Sequence, residues 1–219
     1  MILVEAWRFL ADNPGRVLGD VAGQLVLSLV AVAIAIAVAV PLGATIGHTR
    51  RFAWLAVNGA NVLRALPTLA IIAIGIGLYG VGFVNIMVAL VILALPLILT
   101  NTYVGVAEVE PGTVEAARGM GMTGWQILTQ VELPHAVPLI MAGIRTGTVF
   151  VIATAYLAGT AGYPRTLGSV ITNPTLPVSQ LLAYTVLAVA LAFAVDGLLL
   201  IVQRAVTPAG MKIVPVTTA

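Results

Sequence analysis

The sequence predicts an all-α integral membrane protein with five transmembrane helices, and three observations lead there. Of its 219 residues, 60% are hydrophobic and only 8% are charged. A soluble domain carries roughly 25% charged residues, so this chain cannot cover a water-facing surface. The apolar residues gather into five runs, each near or above the length of about 20 residues that a bilayer-spanning helix needs. The longest polar interval, 105–134, falls between the third and fourth runs. There is no cysteine, which excludes a disulfide framework and a thiolate metal site. A net charge of +2 does not suggest a nucleic-acid partner; in a membrane protein a small basic excess marks inward-facing loops.

Residues 1–20 mix Glu5, Arg8, Asp12, Arg16 and Asp20 with Ile2, Leu3, Trp7, Phe9 and Leu10, and read as an interfacial N-terminal segment. No basic stretch precedes an apolar one with a cleavage site, so no signal peptide is read. The membrane unit, 21–204, follows. Its first span, 21–47, is uncharged, holds Pro41, carries a Gly43-x-x-x-Gly47 step suited to close helix contact, and stops at His48-Thr49-Arg50-Arg51. His48 reads as a polar residue at headgroup level. The second span, 65–83, begins near Pro67 and is softened by Gly75, Gly77, Gly80 and Gly82. The third is 84–99, with Thr100 to Tyr103 at an interface. After the polar interval come the fourth, 136–159, with Gly143-x-x-x-Gly147, and a Gly/Pro/Thr-rich loop, 160–179. The fifth is 180–202, and a polar tail, 205–219, ends the chain.

Five spans put the termini on opposite sides. With the polar interval inside, Arg50, Arg51, Arg64, Arg118, Arg204 and Lys212 lie inside and Arg8, Arg16 and Arg165 outside. The positive-inside rule then favours N-out, C-in. Arg145 and Asp196 are the charges placed within spans, at similar depth on neighbouring helices. Isolated charges there cost roughly 2.5–3.5 kcal/mol on insertion scales, so an intramembrane Arg145–Asp196 pair is expected, with snorkelling of Arg145 as the alternative.

The polar interval itself predicts an elbow of two short helical arms. Pro111 suits a first helical turn and Gly121 a stop at positive φ. Thr123 and Gln126 have capping-box spacing, with Met122 and Ile127 placed as a hydrophobic staple. Pro134 is read as closing the segment. An exposed elbow with apolar knuckles is built to dock.

The elbow's spacing, Glu115-Ala116-Ala117, then Gly121, then Val131-x-Leu133-Pro134, resembles the EAA loop of the transmembrane permeases of binding-protein-dependent ABC importers. Val131 replaces the usual isoleucine. Ala65-Leu66-Pro67-Thr68, Asn101-Thr102-Tyr103, Ala142-Gly143-Ile144-Arg145 and Asp196-Gly197-Leu198-Leu199 are similar to the osmoprotectant (glycine betaine, choline) branch, so that the likeness covers about 20–210. It departs at 161–168, where Tyr163-Pro164-Arg165 interrupts a usually Gly-rich outer turn. The resemblance implies a type I importer core whose first elbow arm is a coupling helix seated on a cytoplasmic ATPase. Glu115, Ala116, Ala117, Gly121, Val131, Leu133 and Pro134 would be the ATPase-coupling residues. It further implies two ABC ATPase subunits carrying ATP and Mg, a solute-binding protein outside, a second permease copy or homologue, and membrane lipids as surroundings. No nucleic acid is implied as a partner, and no catalytic residue, metal or cofactor is expected on this chain, which has no GxxxxGK[ST] loop. The cargo implied is a compatible solute such as glycine betaine or choline, with an amino-acid importer of methionine type as the alternative. A membrane-embedded enzyme or a secondary transporter is the distant one, since neither GxSxG, HExxH nor paired intramembrane acids occur.

Overall fold

The structure is a computed structural model and describes residues 2–207. The end of the expected tail, with Lys212, lies outside the described residues. The helices are α1 (Ile2–Asp12), α2 (Pro14–Thr49), α3 (Ala53–Ala65), α4 (Thr68–Tyr79), α5 (Phe83–Ala107) and α6 (Pro111–Gly119). After them come α7 (Gly124–Ile127), α8 (Leu133–Thr154), α9 (Leu167–Ile171) and α10 (Val178–Val206). Four helical units are long and apolar enough to cross a membrane, and the bent pair α3–α4 makes a fifth if counted as one span.

The bundle is assembled around α5, and glycine decides how closely its neighbours approach. On α2, a Cβ at Gly43 would fall 2.8 Å from Leu99 O, and one at Gly47 2.7 Å from Val106 Cβ. On α8, a Cβ at Gly143 would fall 2.6 Å from Asn101 Cβ. Both GxxxG steps therefore seat on the same half of α5, one from either neighbour. Small and branched side chains (Leu27, Ala31, Ala35, Ile86, Leu90, Ala94, Ile98, Val151) fill the space between them. By contrast, α10 is peripheral, with Ala183 and Tyr184 as its buried residues. It is held at one end by α1, where Phe9 and Tyr184 have ring centroids 6.0 Å apart and the Tyr184 hydroxyl donates to buried Asp20 at 2.7 Å. At the other end the Gln203 amide donates to Pro138 O at 3.2 Å. The described ends of the chain thus lie at opposite ends of the bundle.

Several expected boundaries move, each for a local reason. Within the expected segment 1–20, α2 already starts at Pro14, and Asp20 is buried with its carboxylate accepting from the Tyr184 hydroxyl. The span expected over 65–83 is not one helix. It breaks at Leu66-Pro67, and α3 and α4 meet at 88°. Pro67 has no N–H to donate and forces Leu66 to an extended ψ of 125°, while the polar 53–64 stretch is itself helical. The third span continues to Ala107, with the Thr100, Asn101 and Thr102 side chains each donating to a carbonyl four residues earlier. The loop 160–179 contains α9, started by a Thr166–Ser169 capping box and pressed onto the 3₁₀ turn Ala155–Gly159, where Gly168 leaves room for the Tyr156 carbonyl. Tyr163, the bulky residue of that loop, packs its ring against Phe83 at 5.7 Å.

Candidate functional site

At the end of the bundle opposite α1, the chain makes the elbow. Pro111 lies in the first turn of α6, and the helix ends in a Schellman turn. Met122 N–H donates to Ala117 O at 3.2 Å, Gly121 N–H to Arg118 O at 3.0 Å, and Gly121 has φ +84°. The chain then re-enters helix at once. The Thr123 hydroxyl accepts from Gln126 N–H, and the Gln126 side chain accepts from Thr123 N–H at 2.8 Å. Ile127 is buried; Met122, one residue before the cap, is half-buried.

The second arm does not close at Pro134. It runs from α7 through a π-helical turn, Leu128–Glu132, straight into α8, so that Gly124–Gly159 is one helical unit. The wider turn makes Leu133 N–H donate to Leu128 O, five residues back, and Pro134, which has no N–H to donate, follows directly after it. One extra residue in a turn rotates what precedes it. Glu132 points inward, its side chain 7% exposed, and accepts from or donates to His48 Nδ1 at 2.6 Å. His48 is therefore no simple headgroup residue; it ties the end of α2 to the root of the elbow. Its ring also lies against Gly124, where a Cβ would be 3.3 Å from Nε2. Below this pair Ala44, Val106, Leu128, Ala136 and Ile140 pack together, joining α2, α5 and α8.

A cleft of about 410 Å³ opens beside the pair, with His48, Arg50, Glu115, Arg118 and Glu132 among its walls. Arg50, in the left-handed region at φ 55°, donates from Nη2 to Ala107 O at 2.7 Å and caps the carbonyl end of α5. The other expected residues divide by exposure. Glu115 and Ala116 are exposed on α6, whereas Ala117 is 2% exposed and turned into the elbow, so its small size serves the elbow's own packing. Val131, Leu133 and Pro134 are half-buried at the helix root. Two exposed apolar side chains complete the surface, Met120 at 76% and Trp125 at 73%. Neither stands out by spacing, and only the fixed turn shows that both face out.

Midway along α8, Arg145 meets Asp196 of α10. Nη2 lies 2.9 Å from Oδ1 and 3.0 Å from Oδ2, Nε 3.1 Å from Oδ1, and Nη1 donates to Gln203 Oε1 at 3.0 Å. This contact joins α8 to α10.

Residues 35–208 match the family described as binding-protein-dependent transport system inner membrane component. The chain belongs to that family. It is a multi-pass inner-membrane protein and a membrane component of a transport system. It is 38% identical over 209 residues to the glycine betaine/carnitine/choline transport system permease protein OpuCB of Bacillus subtilis, covering 93% of this chain and 94% of that one. It is 39% identical to the carnitine transport permease protein OpuCB of Listeria monocytogenes, covering 87% and 89%. Among solved structures it is similar to an inward-facing form of the MetNI methionine ABC transporter, with a TM-score of 0.75, 21% identity and coverage of 88% and 97%. That likeness is one of fold.

Proposed function

We propose that this chain is the membrane-spanning subunit of an ATP-driven importer that carries a compatible solute, a quaternary amine such as glycine betaine, carnitine or choline, into the cell. The observation that carries the reading is the elbow: an exposed first arm, fixed in angle by a Schellman turn and a capping box, rooted in α8 and latched to α2. A rigid lever of this kind passes motion from a partner to the spans as a rigid-body rotation. The osmoprotectant names of relatives that match over most of the chain support the cargo class. The methionine transporter similar in fold shares too little sequence to speak for its own cargo.

In this reading the elbow and the end of α10 lie inside and α1 outside. Glu115 and Ala116 meet the groove of a cytoplasmic ATPase, with Met120 and Trp125 at its rim, and Ala117, Gly121, Val131, Leu133 and Pro134 hold the shape. Two such ATPases bind ATP and Mg, a second permease copy or homologue completes the membrane core, and a solute-binding protein docks outside near Tyr163-Pro164-Arg165. The test is to co-express the chain with its genomic neighbours and purify by a tag on this subunit. An ATPase and a binding protein should come with it, and that binding protein should bind quaternary amines. Purification without an ATPase would overturn the reading.

A further inference from the structure

Two guanidinium groups lie beside the middle of long apolar helices, and they are treated differently. Arg145 has both oxygens of Asp196 and the amide oxygen of Gln203. Arg64 has a single partner among the described residues, the Pro96 carbonyl, 3.0 Å from Nη2. Pro96 is the fourteenth of the 25 residues of α5, an uncharged helix, which places the Arg64 head about 16 Å from the elbow end at 1.5 Å per residue. Arginine keeps its charge there, since it does not deprotonate in proteins. A lone cation facing lipid at that depth is strongly unfavourable.

The exposed surface of α3 mixes apolar side chains, Trp54 and Val62 among them, with polar ones close to Arg64. Asn58, Asn61 and Arg64 recur every third residue of α3, which lines them along one side of the helix, and all three are exposed. Ala60, four residues before Arg64 and on its side of the helix, is buried at 4%, which is the side from which the arginine reaches Pro96. Asn58 covers part of its own polarity by donating to Trp54 O at 2.7 Å, while no hydrogen bond engages the Asn61 side chain among the described residues. These polar side chains end at the 88° break between α3 and α4. A cation held by a single carbonyl, with exposed amide side chains near it, fits a solute path. The planar guanidinium fork is shaped for a carboxylate, which it holds through two parallel hydrogen bonds.

We propose that Arg64 is a binding residue of the translocation path, receiving the carboxylate of a zwitterionic quaternary amine as it passes the membrane centre. The inference rests on the quaternary-amine reading above and narrows it. Glycine betaine carries a carboxylate beside its trimethylammonium group, and choline carries a neutral hydroxyl. Arg64 therefore assists the first and is indifferent to the second.

The test uses the complete transporter, with its ATPase and binding protein, in proteoliposomes. Glycine betaine and choline are each supplied with binding protein in saturating excess, so that the membrane step limits. Arg64→Gln should lower maximal uptake of glycine betaine about tenfold, the usual effect of losing a hydrogen-bonded charge, and that of choline less than twofold. Arg64→Lys, which keeps the charge without the fork, should fall between. An equal loss for both solutes, or no loss for either, overturns the proposal. If Arg64→Gln fails to assemble, Arg64→Lys decides: a loss confined to glycine betaine supports the proposal and a parallel loss refutes it. A wild-type transporter that moves neither solute removes the cargo reading and the proposal together. One that moves both, without a selective loss in the variants, removes the proposal alone.

Discussion

His48 and Glu132 are 84 residues apart and 2.6 Å from one another, and each has the other as its hydrogen-bonded side-chain partner among the described residues. A carboxyl group that is 7% exposed needs that partner, because an unmet buried polar group costs about 1–3 kcal/mol, and more if charged. Glu132→Ala should accordingly lower the thermal stability of the purified protein in detergent, whereas Glu132→Gln, which keeps a hydrogen-bonding group in place, should cost less. Melting curves followed by size-exclusion chromatography measure this. An alanine variant that melts with the wild type would mean that the pair holds nothing. Glycine acts at the same scale by its absence of a side chain: Gly43, Gly47 and Gly143 sit where a Cβ would meet α5 at under 3 Å.

Among the elements, the elbow depends on one backbone conformation. A Cβ at Gly121 meets nothing within 4 Å, but at φ +84° a bulky residue is strained by about 1–2 kcal/mol. Gly121→Leu should therefore leave membrane insertion intact while ATP hydrolysis continues without uptake, and Gly121→Asn, which tolerates the left-handed region, should recover much of the uptake. Full uptake in the leucine variant would separate the turn from coupling. The contact between α8 and α10 invites a different experiment. Arg145 and Asp196 are 24% and 35% exposed, so part of their attraction is screened unless lipid or a partner covers them. Arg145→Gln or Asp196→Asn alone should reduce the amount of protein in the membrane by stranding one charge. The apolar double variant, Arg145→Met with Asp196→Leu, should restore it, as replacing a whole pair is often neutral. If both single variants accumulate and transport normally, the pair has no structural role.

For the molecule as a whole, orientation decides which partners each end can meet, and the absence of cysteine makes it simple to measure. Gln130, on the elbow's second arm, and Pro174, between α9 and α10, are exposed at opposite ends. With N-out, C-in orientation, Pro174→Cys should react with a membrane-impermeant maleimide on intact cells, and Gln130→Cys only in inside-out vesicles. The reverse pattern would invert the orientation and take the elbow away from any cytoplasmic ATPase. The architecture also explains how an elbow can act at a distance. Its second arm is continuous with α8, α8 is seated on α5 through Gly143, and the His48 latch joins it to α2.

Apolar composition and the run lengths by themselves determined a helical, multi-pass membrane protein, because a bilayer admits only helices and closed barrels and barrel strands alternate apolar with polar residues, whereas these runs are continuously apolar. Local signals also determined the elbow's two ends. The Gly121 stop and the Thr123–Gln126 start are encoded within six residues, and helix caps depend on little beyond that distance. The tertiary structure alone decided what those ends are attached to. Nothing near His48 announces Glu132, and nothing near Glu132 announces the π-helical turn that aims it inward. Ala116 and Ala117 are equivalent in the sequence, yet one faces out and the other in. Likewise Asp20 reads as an interfacial charge until Tyr184, on another helix, reaches it. Burial of a polar group is a property of two surfaces brought together, and the register between helices is set by packing rather than by any local pattern. That is why the elbow was legible, and the latch beneath it was not.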